Sequence, residues 1–127
     1  MLTDLEKNAI RDHYQNIGKN LPGFRPRASQ REMIAAIANA FSRTLTREEG
    51  EEAPKREGES IAVIEGPTGV GKSLAYLLAG GIMAQTRGKR LIVSSATVAL
   101  QEQLVDRDLP FLVEKSGLEL TFALAKG

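Results

Sequence analysis

The sequence predicts an α/β fold that opens a parallel β-sheet, and three observations carry that reading. First, Gly66-Pro67-Thr68-Gly69-Val70-Gly71-Lys72-Ser73 fits G-x-x-x-x-G-K-[ST]. Second, this stretch follows a short apolar run at residues 61–65 and precedes the helical pattern that starts at Ser73. Third, two further apolar runs, residues 91–95 and 120–125, follow at intervals that leave room for helical crossovers. Three strands joined by two helices read as a parallel sheet with right-handed connections.

The glycine-rich stretch is a candidate phosphate-binding loop. Its glycines allow a tight turn and a close approach of backbone N–H groups to phosphate oxygens, which a Cβ would block. Lys72 supplies a mobile positive charge for the β and γ phosphates of a nucleoside triphosphate. The Ser73 hydroxyl is the candidate metal ligand, completing the shell of a Mg²⁺ that keeps several waters. The helix that follows points its positive N-terminus at the same anion. The four fixed positions should coincide by chance in roughly one chain in a few hundred, so the strand-loop-helix context adds weight to a signal already specific.

Composition narrows the remaining classes. At 127 residues the chain is one domain at most. The 17 Lys and Arg nearly balance the 16 Asp and Glu, so any nucleic-acid contact must be local rather than carried by net charge. There is no cysteine, which excludes disulfides and thiolate-bound metal or iron-sulfur sites within these residues. No apolar run approaches the roughly 18 to 20 residues of a membrane span, and the N-terminus lacks the apolar centre of a signal peptide. The expected compartment is the cytosol.

Thr3-Asp4-Leu5-Glu6 reads as a capping box, with Leu5, Ala9, Ile10, His13, Tyr14 and Ile17 at helical spacing and Gly18 as the stop. His13, the one histidine, is read as packed rather than catalytic. A turn-rich stretch, residues 21–27, leads to a second helix with Met33, Ile34, Ile37, Ala38 and Phe41 on its apolar face. Gln30 lies on its first turn, and a carboxamide pairs one donor and one acceptor as the N6 and N7 edge of adenine requires. Phe24 is placed to stack on a base or to cap the core. Residues 46–60 are almost entirely charged or polar and read as a surface loop.

Beyond the phosphate loop, Leu74, Ala75, Leu77, Leu78, Ile82 and Met83 predict a buried helix, interrupted at Gly80-Gly81 where another element can approach closely. Ser94-Ser95-Ala96-Thr97 ends the second apolar run and opens a helix through Val98, Leu100, Gln101, Leu104 and Val105. Small hydroxyls beside free helix N–H groups suit a phosphodiester backbone; they equally suit an ordinary helix cap. Pro110 ends or kinks that helix, and Gly117 marks a turn.

Three segments together, Phe24-Arg25-Pro26-Arg27-x-x-Gln30, Glu65 to Ser73, and Val93-Ser94-Ser95-Ala96-Thr97-x-x-Leu100-Gln101-x-Gln103-Leu104, resemble successive motifs of superfamily 2 helicases. Among these the chain resembles the DinG family of XPD-like DNA helicases, including Arg107-Asp108-Leu109-Pro110, over nearly everything outside residues 46–60. The resemblance implies a RecA-like P-loop motor domain starting at residue 61, preceded by helices carrying an adenine-reading motif within residues 1–45. It implies ATP and Mg²⁺ as cofactors, with Gln30 on adenine, Gly66, Pro67, Thr68, Gly69, Val70, Gly71, Lys72 and Ser73 on the phosphates and metal, and Lys72 and Ser73 in the catalytic role. It places Ser95, Thr97 and Gln101 along single-stranded DNA and implies ATP-driven 5′ to 3′ unwinding. An acidic Asp-Glu-Ala-His box, arginine fingers and four cysteines for a 4Fe-4S cluster belong to the family pattern and do not occur here, so the chain is expected to be an N-terminal fragment of a larger protein, monomeric when intact. Gly66-Pro67 stands where the family often has Ala-Gly, which leaves the register of Lys72 unchanged. A P-loop ATPase of another kind and a non-enzymatic nucleotide-binding module are the alternatives.

Overall fold

The computed structural model describes residues 1–43, 62–65 and 71–125. Its helices are α1 (Asp4–Asn20), α2 (Ala28–Ser42), α3 (Lys72–Thr86), α4 (Val98–Gln103) and α5 (Leu109–Ser116), with a π-helical turn at Leu104–Asp108 between the last two. The charged stretch 46–60 lies outside the described residues.

The expected parallel sheet is not found. Among the described residues there is no strand, and the apolar runs at 62–65, 91–95 and 120–125 form no ladder. A β-strand exists only through its neighbours' hydrogen bonds, so apolar, β-branched composition alone does not make one. Val63 and Ile92 are 96% and 88% exposed, the opposite of what an interior strand requires. The described molecule is helical, and the RecA-like sheet expected from the sequence is corrected accordingly.

Helix α3 is the centre of the packing. Every residue from Leu77 to Met83 is buried, which matches the nearly continuous apolar pattern that predicted it. Around it lie Tyr14 and Ile17 of α1, Met33, Ile34 and Ala38 of α2, Leu104, and Leu112 of α5. Gly80 and Gly81 admit close neighbours, as their pairing suggested. A Cβ on Gly80 would sit 2.9 Å from both methyl carbons of Leu91, and one on Gly81 would sit 3.1 Å from Leu120 Cδ1. Two of the three segments expected as strands, residues 91–95 and 120–125, thus reach α3 by Leu91 and Leu120, laid against the two glycines.

At one pole a polar cluster joins three helix ends. Thr3 caps α1 as the capping box predicts: its Oγ1 accepts from the Glu6 N–H at 3.1 Å, and Glu6 Oε1 accepts from the Thr3 N–H at 3.0 Å. The same carboxylate accepts from Arg87 Nε at 2.8 Å and Nη2 at 3.2 Å. Arg87, just past α3, also donates to the carbonyl of Ser42 at the end of α2 and to that of Met1. Glu6 is therefore buried, at 3% exposure, while Leu5 beside it is 73% exposed, the reverse of what the apolar pattern suggests. A carboxylate with five donors is satisfied inside; a leucine one position round the helix faces water.

Helix α1 runs past Gly18 to Asn20, and its far half holds the end of α5. His13 Nδ1 donates to the Ser116 carbonyl at 2.8 Å, joined by Asn16 Nδ2 at 3.1 Å, and Asn20 Nδ2 donates to the Lys115 carbonyl. The histidine is a packed, hydrogen-bonding residue, as read from the sequence. Gly117 ends α5 in the left-handed conformation at φ 73°. Pro110 does not end the preceding helix. The Leu109 N–H bonds the Leu104 carbonyl five residues back, a wider turn that accommodates a proline lacking its own N–H.

The Arg87 guanidinium, with Thr3, overcomes the cost of burial and holds the Glu6 carboxyl down at about 2. A lowered native value means stability present above the unfolded value near 4.5 and lost as pH falls toward 2. The shift corresponds to roughly 3 kcal/mol. Denaturation midpoints measured from pH 7 to pH 2 should fall steeply below pH 4.5 in the native protein and less steeply in Glu6→Gln, which begins less stable. In a second test, Gly80→Leu should destabilise by about 1–3 kcal/mol by overpacking against Leu91 and Phe41, read by urea denaturation.

Candidate nucleotide site

The site is built where α2 and α3 begin. Arg27 supplies the extended N-cap residue of α2, and Gln30 on the first turn points inward, 4% exposed. Gly71 caps α3 at φ 73° and ψ 49°, a left-handed conformation that favours glycine. Its carbonyl accepts the first helical hydrogen bond from the Ala75 N–H at 3.1 Å and a second from Gln30 Nε2 at 3.3 Å. Gln30 Oε1 accepts from the Tyr14 hydroxyl at 2.6 Å. Burial raises the Tyr14 pKa, so the phenol is a donor at neutral pH.

Beside this chain of bonds lies an open cavity of about 450 Å³. Phe24, Arg25, Arg27, Gln30, Gly71 and Leu74 contribute to its walls. Phe24 also meets Tyr14 edge to face, with ring centroids 5.8 Å apart and planes at 81°. A flat aromatic base fits such a wall: a ring, two cationic side chains, and a carboxamide. A second cavity of about 250 Å³, between α1 and α2, is lined by neither Gln30 nor Gly71.

The sequence candidates thus divide into three groups. Gln30 and Gly71, 41 residues apart, are brought into direct contact, and Lys72 and Ser73 follow as the first residues of α3, the lysine exposed and the serine half-buried. Gly66, Pro67, Thr68, Gly69 and Val70 lie outside the described residues. Ser95, Thr97 and Gln101 gather at the start of α4 and do not line the cavity. Thr97 Oγ1 accepts from the Leu100 N–H at 3.2 Å, and Gln101 Nε2 donates to the Ser95 carbonyl at 3.2 Å. No residue of α4 is buried, and Val98 and Leu100 are open to solvent.

Tyr14 is the residue that sequence reading missed. It was legible only as an apolar position of α1, although a phenol on a buried face must find a partner for its hydroxyl. Among the described residues no group of three or more His, Asp or Glu is placed to hold a metal. A magnesium ion that takes one serine hydroxyl, phosphate oxygens and waters needs no such group, so Ser73 remains compatible with it. An iron-sulfur cluster finds no ligand here, because the chain has no cysteine. No described helix is long and apolar enough to cross a membrane.

No protein-family model matches the chain. Curated proteins do. The chain is 42% identical over 127 residues to an ATP-dependent DNA helicase DinG of Photobacterium profundum, covering 100% of this chain and 17% of the relative. It is 43% identical over 126 residues to the protein of the same name from Salmonella typhimurium, covering 99% of this chain and 16% of the relative. The Escherichia coli K12 protein of that name is 42% identical over 126 residues, with the same coverage. Along its whole length the chain matches a fragment of a DinG-family helicase. It spans about a sixth of the length of these DinG relatives.

Among the described glycines, Gly71 is the least able to accept a side chain. A Cβ there would run into Gln30 Nε2, and the left-handed backbone adds its own strain. Gly71→Ala should therefore cost about 1–3 kcal/mol in urea denaturation and displace the Gln30 carboxamide, seen as a shift of its side-chain amide resonances.

Proposed function

We propose that this chain is the ATP-binding part of an ATP-dependent DNA helicase, an enzyme that couples ATP hydrolysis to 5′ to 3′ unwinding from single-stranded DNA. The observation that carries the reading is the contact between Gln30 and Gly71, which joins a base-reading carboxamide to the residue preceding Lys72. The names of the DinG relatives support ATP dependence and DNA as the substrate.

In this reading the adenine enters the 450 Å³ cavity and stacks on Phe24, with its N6 and N7 edge on Gln30. Lys72 reaches from the first residue of α3 to the β and γ phosphates, and the N-terminal N–H groups of α3 face the same anion. Ser73 would hold magnesium, which when bound neutralises charge between the phosphates. Gly66, Pro67, Thr68, Gly69 and Val70 complete the cradle. These residues bind and orient the triphosphate, while hydrolysis also requires a water positioned to attack the γ-phosphoryl group and a positive charge beside that group as ADP leaves, commonly an arginine worth a factor of about 10³ to 10⁵. Ser95, Thr97 and Gln101 contact the single-stranded DNA backbone; Thr97 is exposed, and Ser95 and Gln101 are half-buried.

The helix-cap role of Thr97 also fits a second reading, a P-loop ATPase that does not touch DNA. Stimulation by single-stranded DNA separates the two.

In the intact protein Lys72→Ala should lower ATPase turnover by a factor of about 10² or more, measured as phosphate release at saturating ATP, with the fold retained by circular dichroism. Turnover close to that of the native enzyme would remove the phosphate-loop assignment. ATPase that is unchanged by added single-stranded DNA would favour the second reading.

A further inference from the structure

If the proposed nucleotide site holds ATP, its selectivity depends on which way round the Gln30 carboxamide lies. A glutamine carboxamide has nearly the same shape when its oxygen and nitrogen exchange places, so shape alone does not decide which one faces a ligand. Base recognition does depend on it. Adenine offers a donor at N6 and an acceptor at N7, whereas guanine offers acceptors at both O6 and N7. A carboxamide held one way round pairs with the first pattern and leaves a mismatch with the second.

The Gly71 carbonyl sets which way round Gln30 lies, and the Tyr14 hydroxyl, able to donate or accept, holds it there. The Gly71 carbonyl can only accept, so it must face Nε2, at 3.3 Å. The Tyr14 hydroxyl, 2.6 Å from Oε1, then donates to the oxygen. Each atom keeps part of its capacity, one N–H on Nε2 and one lone pair on Oε1, which is the pair that adenine requires. Tyr14 does not line the cavity, so it reaches the base only through the cavity residues it touches, Gln30 by its hydroxyl and Phe24 by its ring, and Tyr14→Phe removes the first contact while keeping the ring. Its ring is also set by the edge-on contact with Phe24. The same chain of bonds ends on the carbonyl that starts α3, one residue before Lys72.

We propose that Tyr14 is a positioning residue for nucleotide selectivity: its hydroxyl holds the Gln30 carboxamide in the adenine-reading orientation and, through Gln30, ties α1 to the start of α3. A hydroxyl serving stability alone would, when removed, weaken the use of all nucleotides alike. A hydroxyl that orients a base reader weakens ATP more than GTP.

The test is kcat/KM for ATP and for GTP in the intact protein, for the native sequence, Tyr14→Phe and Gln30→Ala, with a melting temperature for each. Gln30→Ala should lower the ATP-to-GTP ratio by about tenfold or more, since a site built for a polar edge loses its discrimination with the polar group. Tyr14→Phe should lower the ratio about three- to tenfold, mainly through KM for ATP, with a smaller change for GTP. If Tyr14→Phe melts below the assay temperature, the ratio is measured at a lower temperature, where the same expectation holds. A ratio within twofold of native in the Tyr14 variant, while Gln30→Ala shifts it, overturns the positioning role and leaves the base reading intact. A ratio unmoved by Gln30→Ala overturns both.

Discussion

The Gln30 carboxamide links three helices at one point. It lies on the first turn of α2, accepts from Tyr14 of α1, and donates to the carbonyl that starts α3. Such a group is costly to bury unless both its ends are matched, and here both are. The match fixes the relative placement of the elements that the proposed site needs: the Phe24 ring that precedes α2, the carboxamide itself, and the residue before Lys72. A shift of α2 against α3 by one turn would leave both partners unpaired, which gives the arrangement register as well as proximity.

The opposite pole complements it. Arg87 gathers the Glu6 carboxylate, the last carbonyl of α2 and the carbonyl of Met1, closing the far ends of the same three helices. With their starts joined at Gln30 and their ends at Arg87, α2 and α3 run parallel and α1 runs antiparallel to both. Apolar burial between the poles supplies the cohesion, through Ile17, Met33, Ile34, Ala38, Leu78 and Ile82. The two polar clusters supply the alignment. The candidate site thus stands on helix ends fixed at both poles, which suits groups that must meet a ligand in a set geometry.

How much of this was legible in the sequence depended on whether the signal was local. The capping box at Thr3, the buried face of α2 and the all-round apolar α3 are local patterns, and they are found as expected. The glycine pair was readable because close approach leaves only glycine room, and Leu91 and Leu120 do lie against it. Strands were misread because their existence depends on distant partners, and among the described residues those partners are not in place. Glu6 and Tyr14 escaped for a related reason. A carboxylate inside the core and a phenol bonded across helices are decided by Arg87 and Gln30, 81 and 16 residues away. Of the two readings of Pro110, an end or a kink, the end is not found: the wider π-helical turn at Leu104–Asp108 leads directly into α5.

In the proposed function, the base-reading and phosphate-reading residues share one nucleotide site at the joined starts of α2 and α3. An NMR titration of the chain with magnesium ATP tests it most directly, following backbone amides and the side-chain amide of Gln30. Shifts concentrated at Phe24, Gln30, Gly71, Lys72 and Ser73, with α5 unaffected, are the predicted result. Saturating shifts that appear elsewhere while Gln30 and Gly71 stay unmoved would contradict the account.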